Sequence, residues 1–373
     1  MALSKIPSAG FQDNVKFRNI IINGDMSIAQ RSTSVSGISG SNGLYNTIDR
    51  WRTNFNNLGT WTQSQSTDVP SAQGFVKSLK MDCTTADASP SASEYMIIET
   101  QFEGQNLQYL KKGTSSAESL TLSFWIKSSK TGDFVVEIDD NDNSRHINKL
   151  YTINSANTWE KKIITYAGDT SGTLDNDNNS SIRVMFWFGA GSDFTSGTLQ
   201  TSWGSQNNTG RAVGCDNMAD STSNEFYITG VQLEAGEVAS DFEFLPQPVM
   251  KNLCHRYCYV PTNEGSSGDG YVFAWGYCST SSQGIYFMPL PTLMRSQPTL
   301  VLKNTSNALE QGYHNATVTQ HNTNVVTRSG TISSDKNLLL VVGSASFNGG
   351  QGAHLRFARQ DTDETSFVVN AEL

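Results

Sequence analysis

Apolar side chains recur at every second position along much of this chain, most regularly near its middle. The stretch SLTLSFWIKS places Leu120, Leu122, Phe124 and Ile126 on one face and Thr121, Ser123, Trp125 and Lys127 on the other. SIRVMFWFG repeats the pattern, with Ile182, Val184, Phe186 and Phe188 opposite Arg183, Met185 and Trp187. A period of two is that of a strand whose successive side chains point to opposite faces of a sheet. DFVVEID, TWEKKIITYAG and EFYITGVQLEAG add further strands, each ended by polar or Gly-containing segments. In the last of these, Phe226, Ile228, Val231 and Leu233 are expected to be buried together and Gly230 to mark a kink. One-sided strands at this spacing predict an all-β fold, an antiparallel jelly-roll sandwich with almost no helix.

Towards the ends the pattern changes. Residues 1–18 contain Pro7 and Gly10 and little periodicity, so they read as an extended arm that orders only against a partner, with Leu3, Ile6, Phe11 and Phe17 as its anchors. Strands resume in NIIINGDMSIAQRS around an Asn23-Gly24 turn signal, and DRW at residues 49–51 opens another element. After Pro246 and Pro248 the segment LPQPVMKN reads as a linker. Beyond it, YVFAWGYC, GIYFMP, NLLLVVG and SFVVNAEL read as strands, and prolines 289, 291 and 298 argue against helix. The 373 residues exceed what one core usually organises, so three parts are expected: the arm 1–18, a jelly-roll domain 19–248 and a smaller β-sandwich domain 249–373.

Composition narrows the function. Charged residues make up 16% of the chain and the net charge is −9, with no run of Lys and Arg, which argues against a nucleic-acid groove. No apolar stretch approaches the ~20 residues needed to cross a bilayer, and MALSKIPSAG lacks the apolar core of an export signal, so synthesis in a cytoplasm is expected. Five scattered cysteines suggest reduced thiols. Cys254, His255 and Cys258 in CHRYC could begin a zinc site, but a second close ligand pair is missing, and thiols on strands are the preferred reading.

Two acidic stretches have oxygen ligands at alternating positions, Asp139, Asn141 and Asn143 in one and Asp175, Asp177 and Asn179 in the other. Neither has the Gly and Glu that a helix-flanked calcium loop requires, so polar hairpin turns are preferred. Glu137, Asp139 and Asp140 could supply a pair of glycosidase carboxylates, but no supporting motif accompanies them. Five dispersed histidines and the lack of a nucleophile-elbow motif point away from an enzyme. Aromatic rings offer a different chemistry, because a sugar's C–H face stacks on Trp or Tyr while amides and carboxylates orient its hydroxyls. Trp61, Trp125, Trp187, Trp203 and Tyr166 are the candidates, Trp125 and Trp187 above all because their strands point them away from the core. That face could equally pack against a covering loop or a neighbouring subunit.

Taken in order, NIIINGDMSIAQRS, DRW, EFYITGVQLEAGEVASDFEFLPQP and CHRYCYV resemble the motifs of bacteriophage tail-fibre and virion-appendage proteins, as do LPTLMRSQPTL and the ending VVNAEL. The resemblance implies a carbohydrate-binding-module-like jelly roll followed by a small β domain, with Phe242 and Phe244 sealing the sandwich at the exit. It further implies a non-catalytic structural protein on the exterior of a phage particle, made in the bacterial cytoplasm, that attaches to a host-surface glycan or receptor. The expected partners are copies of itself, as a trimer, and other virion proteins held through the arm. No cofactor is expected beyond the structural calcium that such jelly rolls often hold, for which Asp139, Asn141, Asp175 and Asp177 are the candidates. A capsid-surface fibre or decoration protein, or a free carbohydrate-binding module, are the alternatives.

Overall fold

The computed structural model describes residues 17–261, 272–302, 309–313, 318–321, 326–328, 335–343, 350, 352–357 and 367–373. The chain forms two compact units: residues up to Ser27 together with Ser34–Leu245, and Ile28–Thr33 together with Pro246–Leu373. The division falls between Leu245 and Pro246, near the expected 248, and Ile28–Thr33, expected in the first domain, belong to the second unit. Of the arm's expected anchors, Leu3, Ile6 and Phe11 lie outside the described residues. Phe17 is exposed, and its backbone N–H donates to Glu243 Oε1 at 3.1 Å.

The first unit is an antiparallel sandwich. One sheet has six strands in the spatial order β1 (Ser34–Ile38), β4 (Thr60–Ser66), β5 (Ser78–Thr85), β13 (Glu225–Ala235), β7 (Leu120–Ser128) and β10 (Glu160–Tyr166). The other has seven: β12 (Gly204–Ser205), β9 (Arg145–Ile153), β8 (Gly132–Asp140), β11 (Ser180–Ala190), β6 (Tyr95–Glu103), β3 (Arg52–Asn56) and β2 (Ser41–Leu44). The alternating apolar residues of β7 and β11 point inward as their period requires, and all of them are buried. Phe124 and Phe186 meet across the core at 5.1 Å, and Phe188 stacks on Phe226 at 3.7 Å.

Ile228 and Val231, both buried, are an odd three residues apart. A bulge makes this work: Thr229 pairs with Trp125 and Gln232 with Ser123, so Gly230 and Val231 together oppose Phe124. Gly230 takes φ +61°, and a Cβ there would lie 2.5 Å from the ring of Phe75. The bulge is fastened by the beginning of the unit. Val231 N–H donates to Gly24 O at 2.9 Å, Ile20 N–H donates to Leu233 O at 2.9 Å, and Asn19 Nδ2 donates to Val231 O at 3.1 Å. Trp51 then joins through its indole N–H, which donates to Asn23 O at 3.0 Å. Three separated sequence motifs thus close on one another.

In the second unit, Gln247–His255 is a helix rather than a linker. Pro246 precedes it and Pro248 lies in its first turn, where a missing N–H removes no helical hydrogen bond, so these prolines start the helix instead of preventing it. Cys254 is therefore a buried helix thiol, not a strand thiol. A short sheet of β14 (Cys258–Tyr259), β23 (Phe367–Asn370) and β17 (Thr299–Leu302) shares a core with a seven-stranded sheet. That larger sheet runs β19 (Val318–His321), β18 (Leu309–Tyr313), β22 (Gly352–Phe357), β15 (Val272–Cys278), β16 (Gln283–Pro289), β21 (Asn337–Gly343) and β20 (Val326–Arg328). The Ile28–Thr33 segment is tied in by Gln30 Nε2, which donates to Cys258 O at 2.8 Å, and by Arg31, which pairs with Glu372 at 3.1 Å.

The register of β13 yields a stability test. Leu233 is buried in the sandwich core beside the bulge, so Leu233→Ala should cost roughly 2–5 kcal/mol through lost transfer energy and a cavity that only partly collapses. Denaturant unfolding followed by tryptophan fluorescence measures this, and an unchanged midpoint would contradict the assigned register.

Candidate functional site

The two sheets of the first unit present outer faces of different character. On the seven-stranded sheet, Arg183 of β11 lies between Gln101 and Asp139, Met185 between Glu99 and Glu137, and Trp187 between Ile97 and Val135. The connection after β11 folds back over this face, packing Phe194, Leu199, Ala212 and Cys215 onto Met185 and Trp187. Trp187 is fully buried there: its indole N–H donates to Glu137 Oε2 at 2.8 Å and the Arg211 guanidinium sits 5.2 Å from its ring.

Three carboxylates of this face have a cationic neighbour. Arg52 meets Glu99 at 2.8 Å, Arg183 Nε meets Asp139 at 2.8 Å and Arg211 meets Glu137 at 2.8 Å, and all three carboxylates are fully buried. His146 Nδ1 lies 3.1 Å from Glu137, while its Nε2 accepts from Asn207 N–H at 3.3 Å, which fits a neutral ring donating from Nδ1. Burial pushes the Glu137 carboxyl up, but Arg211 and the His146 contact outweigh it and hold the group below the usual carboxylate range. A glycosidase acid requires the opposite shift and an approach for substrate, whereas these carboxylates serve as counter-ions under a cover.

The acidic turns nearby are also engaged. Lys112 Nζ lies 2.5 Å from Asp140, 3.1 Å from Asp169 and 3.0 and 2.9 Å from the carbonyls of Ser171 and Gly172, so an ammonium collects the oxygens of this corner. Asp139 is held by Arg183 and Gln206; Asn141 Nδ2 donates to Ser180 O at 3.1 Å. Asp175 N–H donates to Asp142 Oδ2 at 2.9 Å, and Asp177 Oδ1 accepts from Asn179 N–H at 2.9 Å. Among the described residues no three His, Cys, Asp or Glu side chains gather as a metal site, whether around these turns or around Cys254, His255 and Cys258.

Of the proposed sugar-stacking rings, three have no accessible face. Trp61 is enclosed against Phe226 with its N–H donating to Leu58 O at 2.9 Å, and Tyr166 ends β10 on the core side, its hydroxyl donating to Val136 O at 3.2 Å. Trp187 is closed over by the chain's own connection. Trp203 is half-buried beneath Lys112, its N–H donating to Ala167 O at 2.8 Å.

Trp125 differs. It stands half-buried on the outer face of the six-stranded sheet, opposite Lys161 of β10 and Thr229 of β13, and borders an open depression. Phe75, Phe242 and Phe244 form a three-ring wall, with centroids 4.8–5.1 Å apart. Phe242 and Phe244 therefore pack outside the sandwich instead of sealing it. Together with Gln73, Ser123 and Asp241 these residues line a depression of about 310 Å³. Next to it Lys127 lies 4.4 Å from the ring centroid of Tyr227, and Asp68 accepts from the indole N–H of Trp159 at 2.9 Å. The trough combines an aromatic platform with an exposed ammonium, carboxamide and carboxylate. Sequence reading found Trp125 but missed Phe75, Gln73, Lys161 and Asp241, because their convergence depends on the β7–β10 pairing and on two distant loops.

No protein-family model matches the chain, and no curated protein matches it. Among solved structures, an enzymatically active domain of tailspike protein 4 from bacteriophage CBA120 is similar over 59% of this chain and 22% of its own, at 12% identity and a TM-score of 0.31. A putative sugar-binding protein from Bacteroides thetaiotaomicron is similar over 58% of this chain and 99% of its own, at 12% identity and a TM-score of 0.32. A family 11 carbohydrate-binding module from Clostridium thermocellum, solved with a mixed-linked tetrasaccharide, is similar over 56% of this chain and 99% of its own, at 14% identity and a TM-score of 0.27.

The lowered Glu137 carboxyl fixes a pH dependence. A carboxyl whose folded pKa lies below its unfolded value of ~4.3 stabilises the fold fully above that value and loses this contribution as pH falls through the folded pKa. Glu137→Gln should destabilise the first unit by about 3–5 kcal/mol at pH 7, since Arg211 loses its anion in a buried setting. The gap from wild type should narrow as pH falls below ~4.3. Thermal unfolding of both proteins from pH 7 to pH 2.5 tests this, and a gap independent of pH would contradict it.

Proposed function

We propose that this protein is a non-catalytic, glycan-binding structural subunit of a phage appendage, and that the Trp125 trough is its sugar-binding surface. The observation that carries the reading is the half-buried indole of Trp125 set beside the exposed Lys161, Gln73 and Asp241 in an open depression. A pyranose stacks its C–H face on such a ring, while the ammonium, amide and carboxylate orient its hydroxyls. The Phe75–Phe242–Phe244 wall gives the trough one apolar side, which favours a chain of sugars lying along the sheet over a single sugar held in a pit.

The virion assignment is supported by the sequence motifs, three of which converge in the first unit through Asn19, Asn23, Gly24, Trp51 and Val231. In this reading the protein sits on the particle exterior, assembles with copies of itself and attaches to other virion proteins through residues 1–18, and the glycan belongs to the host surface.

Titration with host-type lipopolysaccharide O-chains and with soluble β-glucan oligosaccharides, followed by the indole N–H resonance of Trp125, tests the site. A perturbed Trp125 resonance and a dissociation constant at least ~10-fold weaker in Trp125→Ala are expected, the equivalent of about 1.4 kcal/mol. Binding that survives Trp125→Ala undiminished would place the sugar elsewhere. A Trp125 resonance indifferent to every saccharide would overturn the reading.

A further inference from the structure

Three adjacent strands of the second unit's seven-stranded sheet, β15, β16 and β21, are apolar on both faces. Tyr286, Met288, Leu338, Leu340 and Val342 point into the core. The intervening positions of the same strands are Ile285, Phe287, Leu339 and Val341, which pair across β16 and β21, Ile285 with Val341 and Phe287 with Leu339. On the neighbouring strand β15, Trp275 pairs with Phe287 and Tyr277 with Ile285. Trp275 is 63%, Tyr277 51% and Phe287 48% exposed. A sheet with one wet face alternates apolar with polar residues, whereas strands apolar on both sides belong to sheets covered on both sides.

We infer that this outer face, centred on Trp275, Tyr277 and Phe287, is the surface through which copies of this chain pack on one another. Its chemistry selects that occupant. The strands β15, β16 and β21 hold seven residues each and contain no Asp, Glu, Lys or Arg, in a chain that is 16% charged with a net charge of −9. Two acidic copies repel wherever like charges meet, and a charge-free face is where they approach without that cost. A sugar is poorly served here: hydroxyls need several fixed polar partners, and apart from His354, whose ring lies 5.4 Å from that of Trp275, the rings are flanked by Ile285, Leu339 and Val341. A strongly charged partner would find no Asp, Glu, Lys or Arg on these three strands to pair with.

The size is appropriate. Three rings about half exposed present roughly 300 Å² of apolar surface, already at the scale of the largest patches that monomers leave in water, ~300–600 Å². Two such faces, with their aliphatic neighbours and a polar rim, supply the apolar centre of an interface of ~1,200–2,000 Å². The packing would be sheet on sheet, the same physics that holds the first unit together.

This deepens the self-assembly part of the proposed function and is tested apart from sugar binding. Sedimentation velocity of the full chain at micromolar concentration should give a mass that is a multiple of the monomer. Trp275→Lys combined with Phe287→Lys should sediment as a monomer while keeping the wild-type circular dichroism spectrum. Tyr277→Glu, a milder change at an exposed position, should shift the same equilibrium toward monomer. Trp125→Ala should keep the wild-type mass, so a lost sugar site cannot be mistaken for lost assembly. A wild-type chain that sediments as a monomer would overturn the inference, as would a doubly substituted, folded chain that retains the wild-type mass.

Discussion

Phenylalanine rings crossing between the two sheets set the geometry from which the rest of the first unit follows. Phe124 and Ile126 are buried from one side, Phe186 and Phe188 from the other, and the Phe188–Phe226 stack at 3.7 Å ties β11 to β13. Because a strand alternates, fixing these residues inward aims Trp125 and Trp187 outward. The two tryptophans begin as equivalents in the sequence and differ only in what lies above them. Over Trp187 the chain folds back, and the desolvation of Glu99, Glu137 and Asp139 beneath that cover is offset by Arg52, Arg211 and Arg183. Over Trp125 there is a depression open to water.

The period of two was legible because burial on one face leaves a mark at every second residue, independent of what the strand pairs with. The inward residues of β7, β11 and β13 could be read for that reason. Coverage by distant chain was not legible: nothing local in SIRVMFWFG says that Phe194 and Arg211 will close over Trp187. Tyr166 and Trp61 failed as sugar platforms for a related reason, since each belongs to the inward set of its own strand once its partner strand is known. The helix at Gln247–His255 was hidden by prolines that forbid a helix interior yet suit its first turn. Gly230 was legible as a kink that keeps Ile228 and Val231 on the same side, but not as the place where the missing Cβ makes room for Phe75.

The acidic turns show how an intramolecular cation is placed by the fold and not by the local sequence. Oxygen ligands at alternating positions suggest a metal when counted along the sequence. In the fold, Lys112 arrives from a separate loop and its ammonium meets Asp140, Asp169 and two carbonyls within 3.1 Å. An ammonium has three donors and a single charge, so it satisfies such a corner without the dehydration that a divalent ion requires. Lys112 serves Asp140 and Asp169, whereas the alternating oxygens of Asp139 are met by Arg183 and Gln206 and those of Asp177 by Asn179, contacts that the spacing of acids does not reveal.

Charge also separates the three outer sheet faces. Where buried carboxylates and guanidinia alternate, as around Glu137, isolated ions in a low-dielectric setting are costly, and the chain's own cover is what holds each pair in place. Where a half-buried indole stands among solvated side chains, as at Trp125 and Lys161, water remains an adequate neighbour and a small polar ligand can replace it. Where charge is missing altogether, as across β15, β16 and β21, water is the poorest neighbour of all, and aliphatic residues beside the rings leave little for a polar ligand to bind. The sandwich repeats one inward chemistry in both units and varies the outward one, so the placement of Arg, Lys and Asp on the outer rows, rather than the aromatic residues that all three faces share, decides what each face accepts.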